Sequence, residues 1–153
     1  MTDYKLLLKQ VNEILAADAY FVPVLSNISA LLMDTIPHLN WAGFYLLRSG
    51  MLVVGPFQGK PACIHIPSGK GVCGRALAED RTINVPDVHS FPGHIACDNA
   101  SKSEIVIPLH INGDPVGVMD IDSIQAGRFT EEDEKGLKEI AQQIEMQIVW
   151  NDA

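Results

Sequence analysis

The chain has 153 residues, enough for one domain with an ordinary hydrophobic core. Its 11 Lys and Arg against 19 Asp and Glu give a net charge of −8, which argues against binding to nucleic acid or to an anionic membrane surface. Hydrophobic residues make up 47% of the chain and charged residues 20%, and no apolar run is long enough for a membrane span, so the composition predicts a folded domain outside the membrane.

The N-terminal residues lack the basic start and apolar stretch of a signal peptide, which favours a cytoplasmic location. A first helix is predicted after Thr2 or Asp3, either of which can cap it, because the apolar residues that follow recur at helical spacing. A second helix is predicted from about residue 20 to 36, with Pro23 in its first turn.

Strands dominate the middle of the chain. Residues 41–47 and 51–55 flank Ser49-Gly50, which predicts a β-hairpin. Shorter elements are predicted next, in this order: a strand over 63–66, a loop over 69–74, a helix over 75–79 and a strand over 82–85.

Residues 87–103 show almost no periodicity, which in a compact domain indicates a functional or mobile segment. Two further strands, 104–111 and 115–122, flank Asn112-Gly113, a strong hairpin signal. A last helix is predicted to open at Thr130, where Thr130 and Asp133 approximate a capping box.

This order of elements predicts one α+β domain over residues 1–153, with an antiparallel sheet and helices packed against it. Its helices would cover about 3–36, the sheet and pocket about 41–123, and the C-terminal helix about 130–150. The apolar stripes of the first and last helices could pack within the chain or build a homodimer.

The three cysteines, Cys63, Cys73 and Cys97, are an odd number in a chain without an export signal. A disulfide framework is therefore not expected, which leaves inert buried thiols, metal ligands or redox chemistry. Together with His94 they could form a Cys₃His zinc site, but the C-x₂-C spacing is absent and no metal is predicted. The aperiodic segment around Cys97 favours redox chemistry. In such chemistry one thiolate is oxidised to a sulfenic acid, and a second thiol condenses with it to form a disulfide.

Residues 69–74 match the G-x-G-x-x-G pattern of dinucleotide-binding proteins. The surrounding βαβ unit that this pattern requires is not predicted, so nucleotide binding is not expected. The run is better interpreted as a tight loop that presents backbone N–H groups at a helix start. Such a start would attract an anion, for example a ligand carboxylate, and would favour the thiolate of Cys73.

Asp120 and Asp122 lie two residues apart on a predicted strand and therefore point to one face. They could mark a strand end in solvent, or a cluster that binds an ammonium group or donates a proton. A three-residue turn would bring Glu104 opposite Asp122. A two-residue turn would place Glu104 on the other face unless a β-bulge intervenes.

Trp41 and Tyr45 are four residues apart on a predicted strand and share a face. Aromatic pairs of this kind are most often part of the core. They could equally form the wall of a small pocket that holds a methyl group.

Seven runs of the sequence together resemble the free methionine-(R)-sulfoxide reductases of the GAF-domain type. In chain order they are NWAGFY (40–45), GPFQGK (55–60), GKGVCG (69–74), GHIACD (93–98), SEIVIP (103–108), DIDS (120–123) and GRFT (127–130). The resemblance covers nearly the whole chain and implies a GAF-like fold. In that fold the terminal helices pack on one side of the sheet, and a loop-covered ligand pocket lies on the other.

The resemblance also implies an activity, the reduction of free L-methionine (R)-S-oxide, with thioredoxin as electron donor and no organic cofactor. Cys97 matches the nucleophile and Cys63 the thiol that resolves the sulfenic acid into a disulfide. Cys73 matches the third family cysteine and is the alternative candidate for the nucleophile. The residues matched to substrate binding are Trp41 and Tyr45 around the methyl group, and Glu104, Asp120 and Asp122 around the ammonium group and the departing oxygen. The competing interpretation is a non-catalytic GAF-type sensor of a small molecule or of redox state.

Overall fold

The structure is a computed structural model that describes residues 1–95, 97 and 99–150. Ala96 and Asp98 of the GHIACD run, and residues 151–153 at the end of the predicted domain, lie outside the described residues. Within the described part of the chain, no helix is both long enough and apolar enough to cross a membrane.

The two N-terminal helices form as the spacing of apolar residues predicts. Helix α1 spans Tyr4–Ala17 and is capped by Asp3, whose side chain accepts a hydrogen bond from the backbone N–H of Leu6 at 3.0 Å. Helix α2 spans Phe21–Thr35 and has Pro23 in its first turn, where no intrahelical N–H is needed. Both predicted helices are therefore confirmed.

Six antiparallel strands form one sheet in the order β3-β2-β1-β6-β5-β4. The strands are β1 Leu39–Arg48, β2 Met51–Gly59, β3 His65–Pro67, β4 Ile83–Val85, β5 Ser103–Ile111 and β6 Asp114–Ser123. The hairpin β1–β2 at Ser49-Gly50 is confirmed. β1 lies at the centre, between β2 and β6, so its alternate residues face two different layers of the protein.

One face of the sheet packs against α1, α2 and the C-terminal helix α4, Glu131–Gln147. Thr130 and Asp133 form a full capping box at the start of α4. The buried residues of this layer include Leu7 from α1, Leu25 from α2, Leu137 from α4 and Phe44 from β1. The predicted α+β architecture is confirmed, and the apolar stripes of α1 and α4 are used inside the chain.

A third helix, α3 at Gly71–Glu79, covers the opposite face of the sheet and begins earlier than predicted. The loop predicted over 69–74 is therefore wrong for residues 71–74, which form the first turn of the helix. A Cβ at Gly74 would lie 2.5 Å from the backbone oxygen of Pro67, so β3 and α3 can approach only because position 74 has no side chain.

The hairpin β5–β6 combines a two-residue turn with a bulge. Ile111 pairs with Asp114 around Asn112-Gly113, whereas the register shifts between Leu109 and His110. The extra residue on β6 restores the pairing of Glu104 with Asp122. The alternative that required a bulge is thus the one that the protein adopts.

The described residues of the segment after β4 are irregular, as predicted, apart from one 3₁₀ turn over Val88–Ser90. Asp87 caps this turn by accepting a hydrogen bond from the backbone N–H of His89 at 3.0 Å.

Candidate functional site

A pocket lies between the second face of the sheet, the start of α3 and the irregular segment. Seven of the eight predicted site residues line it: Trp41, Tyr45, Cys73, Cys97, Glu104, Asp120 and Asp122. The eighth, Cys63, is bonded to Cys97. The folded chain thus brings every residue selected from the sequence to one place.

Cys63 and Cys97 form a disulfide, with their Cα atoms 5.5 Å apart. Cys63 lies in the connection between β2 and β3, and Cys97 lies in the irregular segment, so the bond ties this segment to the rim of the sheet. Two of the four ligands of the zinc alternative are bonded to each other in this structure, so they could bind zinc only after that bond is reduced.

Two buried carboxyl groups lie at the floor of the pocket. Glu104 on β5 is 7% exposed and Asp120 on β6 is 5% exposed. Burial, with the neighbouring charge of Asp122, raises the pKa of Asp120 to about 8. Burial, with the charge of Asp120, also raises the pKa of Glu104 well above its ordinary value. The interpretation of Asp120 as a solvated strand end is therefore wrong, and the floor can hold carboxylic acids at neutral pH.

Cys73 is a buried free thiol beside these acids. Its Sγ lies 3.9 Å from Oε2 of Glu104. Burial, followed by the charges of Asp120 and Glu104, raises the pKa of Cys73 well above its ordinary value. The expectation that the start of α3 favours its thiolate is thus wrong, because burial and two carboxyl groups outweigh the helix dipole.

Ligand atoms of Cys73, Glu104 and Asp120 all lie within 4.8 Å of one another. Among the described residues, this is the one group of such side chains close enough to hold a metal ion. All three side chains belong to the pocket floor already described, and burial raises the pKa of each, which disfavours the charged forms that bind metal ions.

The aromatic wall of the pocket consists of Trp41 and Tyr45, as predicted, and a third ring packs behind it. The ring of Trp41 stacks on Tyr45 at 5.8 Å between centroids and on Phe57 at 5.1 Å. The polar tips of the first two rings face the connection that carries Cys63. The Tyr45 hydroxyl donates to the backbone oxygen of Cys63 at 3.1 Å, and Nε1 of Trp41 donates to that of Lys60 at 3.2 Å.

The sequence does not reveal the roles of two residues at the site: Phe57, which packs behind Trp41, and His94, which lines the pocket. Phe57 lies on β2 opposite Gly43 of β1, a pairing that the hairpin prediction could have supplied if β2 had been extended past Gly55. His94 lines the pocket with its Nε2 3.9 Å from Oε1 of Glu104. Burial, with the charge of His89, lowers the pKa of His94, so a neutral imidazole faces the acid.

The start of α3 also lines the pocket. Gly71 and Val72, the first residues of the helix, line the pocket. Backbone N–H groups in the first turn of a helix have no partner inside that helix and attract anions. The pocket therefore combines an acidic floor, an aromatic wall and a positive helix end within one small volume.

Comparison with known proteins agrees with this geometry. The GAF domain family model matches residues 4–148. The chain is 50% identical over 144 residues to the free methionine-R-sulfoxide reductase of Escherichia coli strain K12, covering 94% of this chain and 87% of that protein. Among solved structures, it is similar to fRMsr of Staphylococcus aureus in complex with substrate, with 49% identity, a TM-score of 0.93 and 97% of each chain covered.

A second solved structure extends the comparison. The free methionine-R-sulfoxide reductase of Neisseria meningitidis, in complex with its substrate, is 42% identical with a TM-score of 0.91, and the match covers 94% of this chain and 87% of that one. These likenesses extend over nearly the full length of the chain and include the strands and helix that build the pocket. The chain therefore belongs to the free methionine-R-sulfoxide reductase family of GAF-domain proteins.

Proposed function

We propose that the protein reduces free L-methionine (R)-S-oxide to L-methionine, with Cys97 as the nucleophile. The observation that carries this proposal is the disulfide between Cys63 and Cys97 at the wall of an acidic, aromatic-lined pocket. A thiol that reduces a sulfoxide is itself oxidised, and a second thiol in reach converts the product to a disulfide.

The first step is oxygen transfer from the sulfoxide to Cys97. The Cys97 thiolate attacks the sulfoxide sulfur, a carboxylic acid protonates the oxygen, and the products are methionine and a Cys97 sulfenic acid. A sulfoxide oxygen departs poorly unless it is protonated, so a buried acid with a raised pKa suits this step. Asp120 and Glu104 both meet that requirement.

The second step closes the disulfide. The Cys63 thiol attacks the sulfenic sulfur of Cys97, the S–S bond forms and water leaves. Over both steps, two thiols and one sulfoxide become one disulfide, one thioether and one water. A dithiol then reduces the disulfide, and thioredoxin is the donor that we propose. This cycle uses no organic cofactor and no metal ion.

The pocket is suited to a free amino acid rather than a peptide. The carboxyl groups of Glu104, Asp120 and Asp122 would hold the ammonium group, while the N-terminus of α3 would hold the carboxylate. Trp41 and Tyr45 would contact the methyl group. Neighbouring residues of a peptide would have to occupy the space filled by the pocket floor, so burial itself would select the free amino acid.

Cys73 is the reserve nucleophile of this proposal. Its raised pKa leaves little thiolate near neutral pH, and thiolate is the reactive form. The bond between Cys63 and Cys97 supports the assignment of Cys97 instead.

Product analysis tests the proposed reaction. Reduced protein, free methionine (R)-sulfoxide and dithiothreitol should give methionine at a rate proportional to the concentration of protein. Binding of the sulfoxide without methionine formation would instead identify a sensor domain. Methionine formation that persists at the full rate in Cys97→Ser would reject Cys97 as the nucleophile.

We place this reaction in the cytoplasm, where thioredoxin systems keep thiols reduced. A homodimer stays a prediction, and the apolar stripes of α1 and α4 are not available for it because they are buried within the chain. Light scattering on the purified protein measures the oligomeric state.

A further inference from the structure

The disulfide is flanked by two exposed isoleucines. Ile64 directly follows Cys63 and is 61% exposed, and Ile95 precedes Cys97 by two residues and is 37% exposed. Because the bond holds Cys63 and Cys97 together, both isoleucines lie within about 13 Å of it along the chain. Ile95 also lines the substrate pocket, so Ile64 is the large apolar side chain beside the bond that a protein outside the pocket can contact.

The charge of the chain around Cys63 differs from that of the protein as a whole. Residues 55–78 contain Lys60, Lys70 and Arg75 and no Asp or Glu, in a protein of net charge −8. Arg75 pairs with Glu79, while Lys60 and Lys70 are exposed and form no ion pair with a described residue. A partner with acidic groups around its own reactive centre would therefore be complementary here.

The two cysteines differ in their position relative to the pocket. Cys97 lines the pocket, whereas Cys63 is not among its lining residues and belongs to the half-exposed connection from Lys60 to Ile64, whose ends are exposed to solvent. A protein too large for the pocket can approach the bond from the Cys63 side. Attack there would release the Cys97 thiolate into the pocket, ready for the next substrate.

We propose that Lys60 and Ile64 form a docking surface for a thioredoxin-type protein dithiol with an acidic rim, which attacks the disulfide at Cys63. This proposal rests on the proposed function and adds where and how its reductant binds. One thiolate of the partner forms a mixed disulfide with Cys63 and displaces the Cys97 thiolate. The second thiol of the partner then attacks the sulfur of the partner's first cysteine, which is bonded to Cys63. This step releases Cys63 as a thiol and leaves the partner with a disulfide.

Two variants separate docking from chemistry. Ile64→Ser removes the apolar contact and Lys60→Glu reverses the charge, while the pocket residues are untouched. Each should raise the KM for thioredoxin roughly fivefold or more, since one interface contact contributes about 1 kcal/mol. Turnover driven by dithiothreitol, which needs no docking surface, should stay within about twofold of wild type.

The matched controls carry the same changes elsewhere on the surface. Ile124→Ser removes an isoleucine that is 46% exposed, and Lys9→Glu changes the net charge as Lys60→Glu does. Both should keep the wild-type KM for thioredoxin. Equal KM values in the variants and their controls would overturn the proposed surface, and so would turnover with dithiothreitol but none with thioredoxin. An absence of methionine with dithiothreitol would instead reject the proposed function.

A trapping experiment identifies the sulfur that is attacked. Thioredoxin that lacks its second active-site cysteine should remain covalently bound to the oxidised protein as a mixed disulfide. Peptide mapping by mass spectrometry should find the link at Cys63, and the yield should fall in Lys60→Glu but not in Lys9→Glu. A link at Cys97 would overturn the proposed direction of approach.

Discussion

Glu104 on β5 lies directly opposite Asp122 on β6, although the turn between the two strands has only two residues. The bulge between Leu109 and His110 makes this possible, because it adds one residue to β6 and restores the register beyond it. Since side chains alternate along a strand, the same register places Asp120 on the face shared with Glu104. The acidic floor of the pocket thus depends on one irregularity about 15 Å away along the strand.

Substitution of Cys97 and substitution of Cys63 should have different effects on the kinetics of the reaction. Cys97→Ser is expected to lose the chemical step. Cys63→Ser should form one methionine per chain and then stop, because its Cys97 sulfenic acid has no thiol to condense with. Rapid-quench assays with a sulfenic-acid trap measure both outcomes. Normal recycling of Cys63→Ser with thioredoxin would show that another residue resolves the sulfenic acid.

The buried acids of the pocket should make the rate of the chemical step depend on pH. The pKa of Asp120 is raised to about 8, so this group is a proton donor below that pH and loses its proton above it. The single-turnover rate of wild type should therefore fall as the pH rises through about 8. Asp120→Asn should lower the rate roughly tenfold or more and remove this limb, as expected when a general acid is lost. Asp122→Asn is expected to weaken catalysis or binding, and unchanged kinetics in both variants would exclude these carboxyl groups from the reaction.

The same burial should make Asp120 unfavourable for stability. Its pKa is higher in the folded state than the ordinary value of 3.8, so the folded protein binds more protons between these two values. The free energy of unfolding then decreases as the pH rises from about 4 to 8. Asp120→Asn should consequently raise Tm relative to wild type at pH 9 and show a smaller gain at pH 5. A gain in Tm that does not depend on pH would contradict this reasoning.

His110 should also make the protein more stable at low pH than at high pH, in this case through a favourable charge. Burial lowers its pKa, but the hydrogen bond to Asp80 and the charges of Asp80 and Glu145 outweigh burial and raise it above 6.5. A raised histidine pKa contributes stability that is present below the ordinary value and is lost as the pH rises through the folded value. The loss of Tm in His110→Asn should thus be larger at pH 6 than at pH 9. Thermal unfolding of both proteins at the two pH values measures this, and an equal loss at both would exclude a charged His110.

Much of this fold could be predicted because its signals are local. The spacing of apolar residues fixes α1 and α4, and the Asn112-Gly113 turn identifies β5 and β6. The sequence predicts the start of α3 four residues too late. A glycine in a loop and a glycine that permits a close backbone contact cannot be distinguished from sequence alone. Gly74 is in fact required by the backbone of Pro67, a contact that no local pattern reveals.

The sequence predicts which residues form the site, but it does not predict the ionisation of all of them. The three cysteines, the carboxyl groups and the aromatic pair were found from motifs, and the structure places them together. The ionisation of Cys73 was predicted in the wrong direction, because burial and the charges of Glu104 and Asp120 come from strands distant in sequence. Phe57 was missed for a similar reason, since it reaches Trp41 only through the pairing of β1 with β2.

The central claim is that one substrate molecule converts Cys97 and Cys63 to the disulfide. Thiol counting on the fully reduced protein, before and after one equivalent of free methionine (R)-sulfoxide, tests it most directly. The chain has 3 cysteines, so the count should fall by two, leave the Cys73 thiol, and yield one methionine per chain. Methionine formed without the loss of two thiols, or two thiols lost without methionine, would contradict the account.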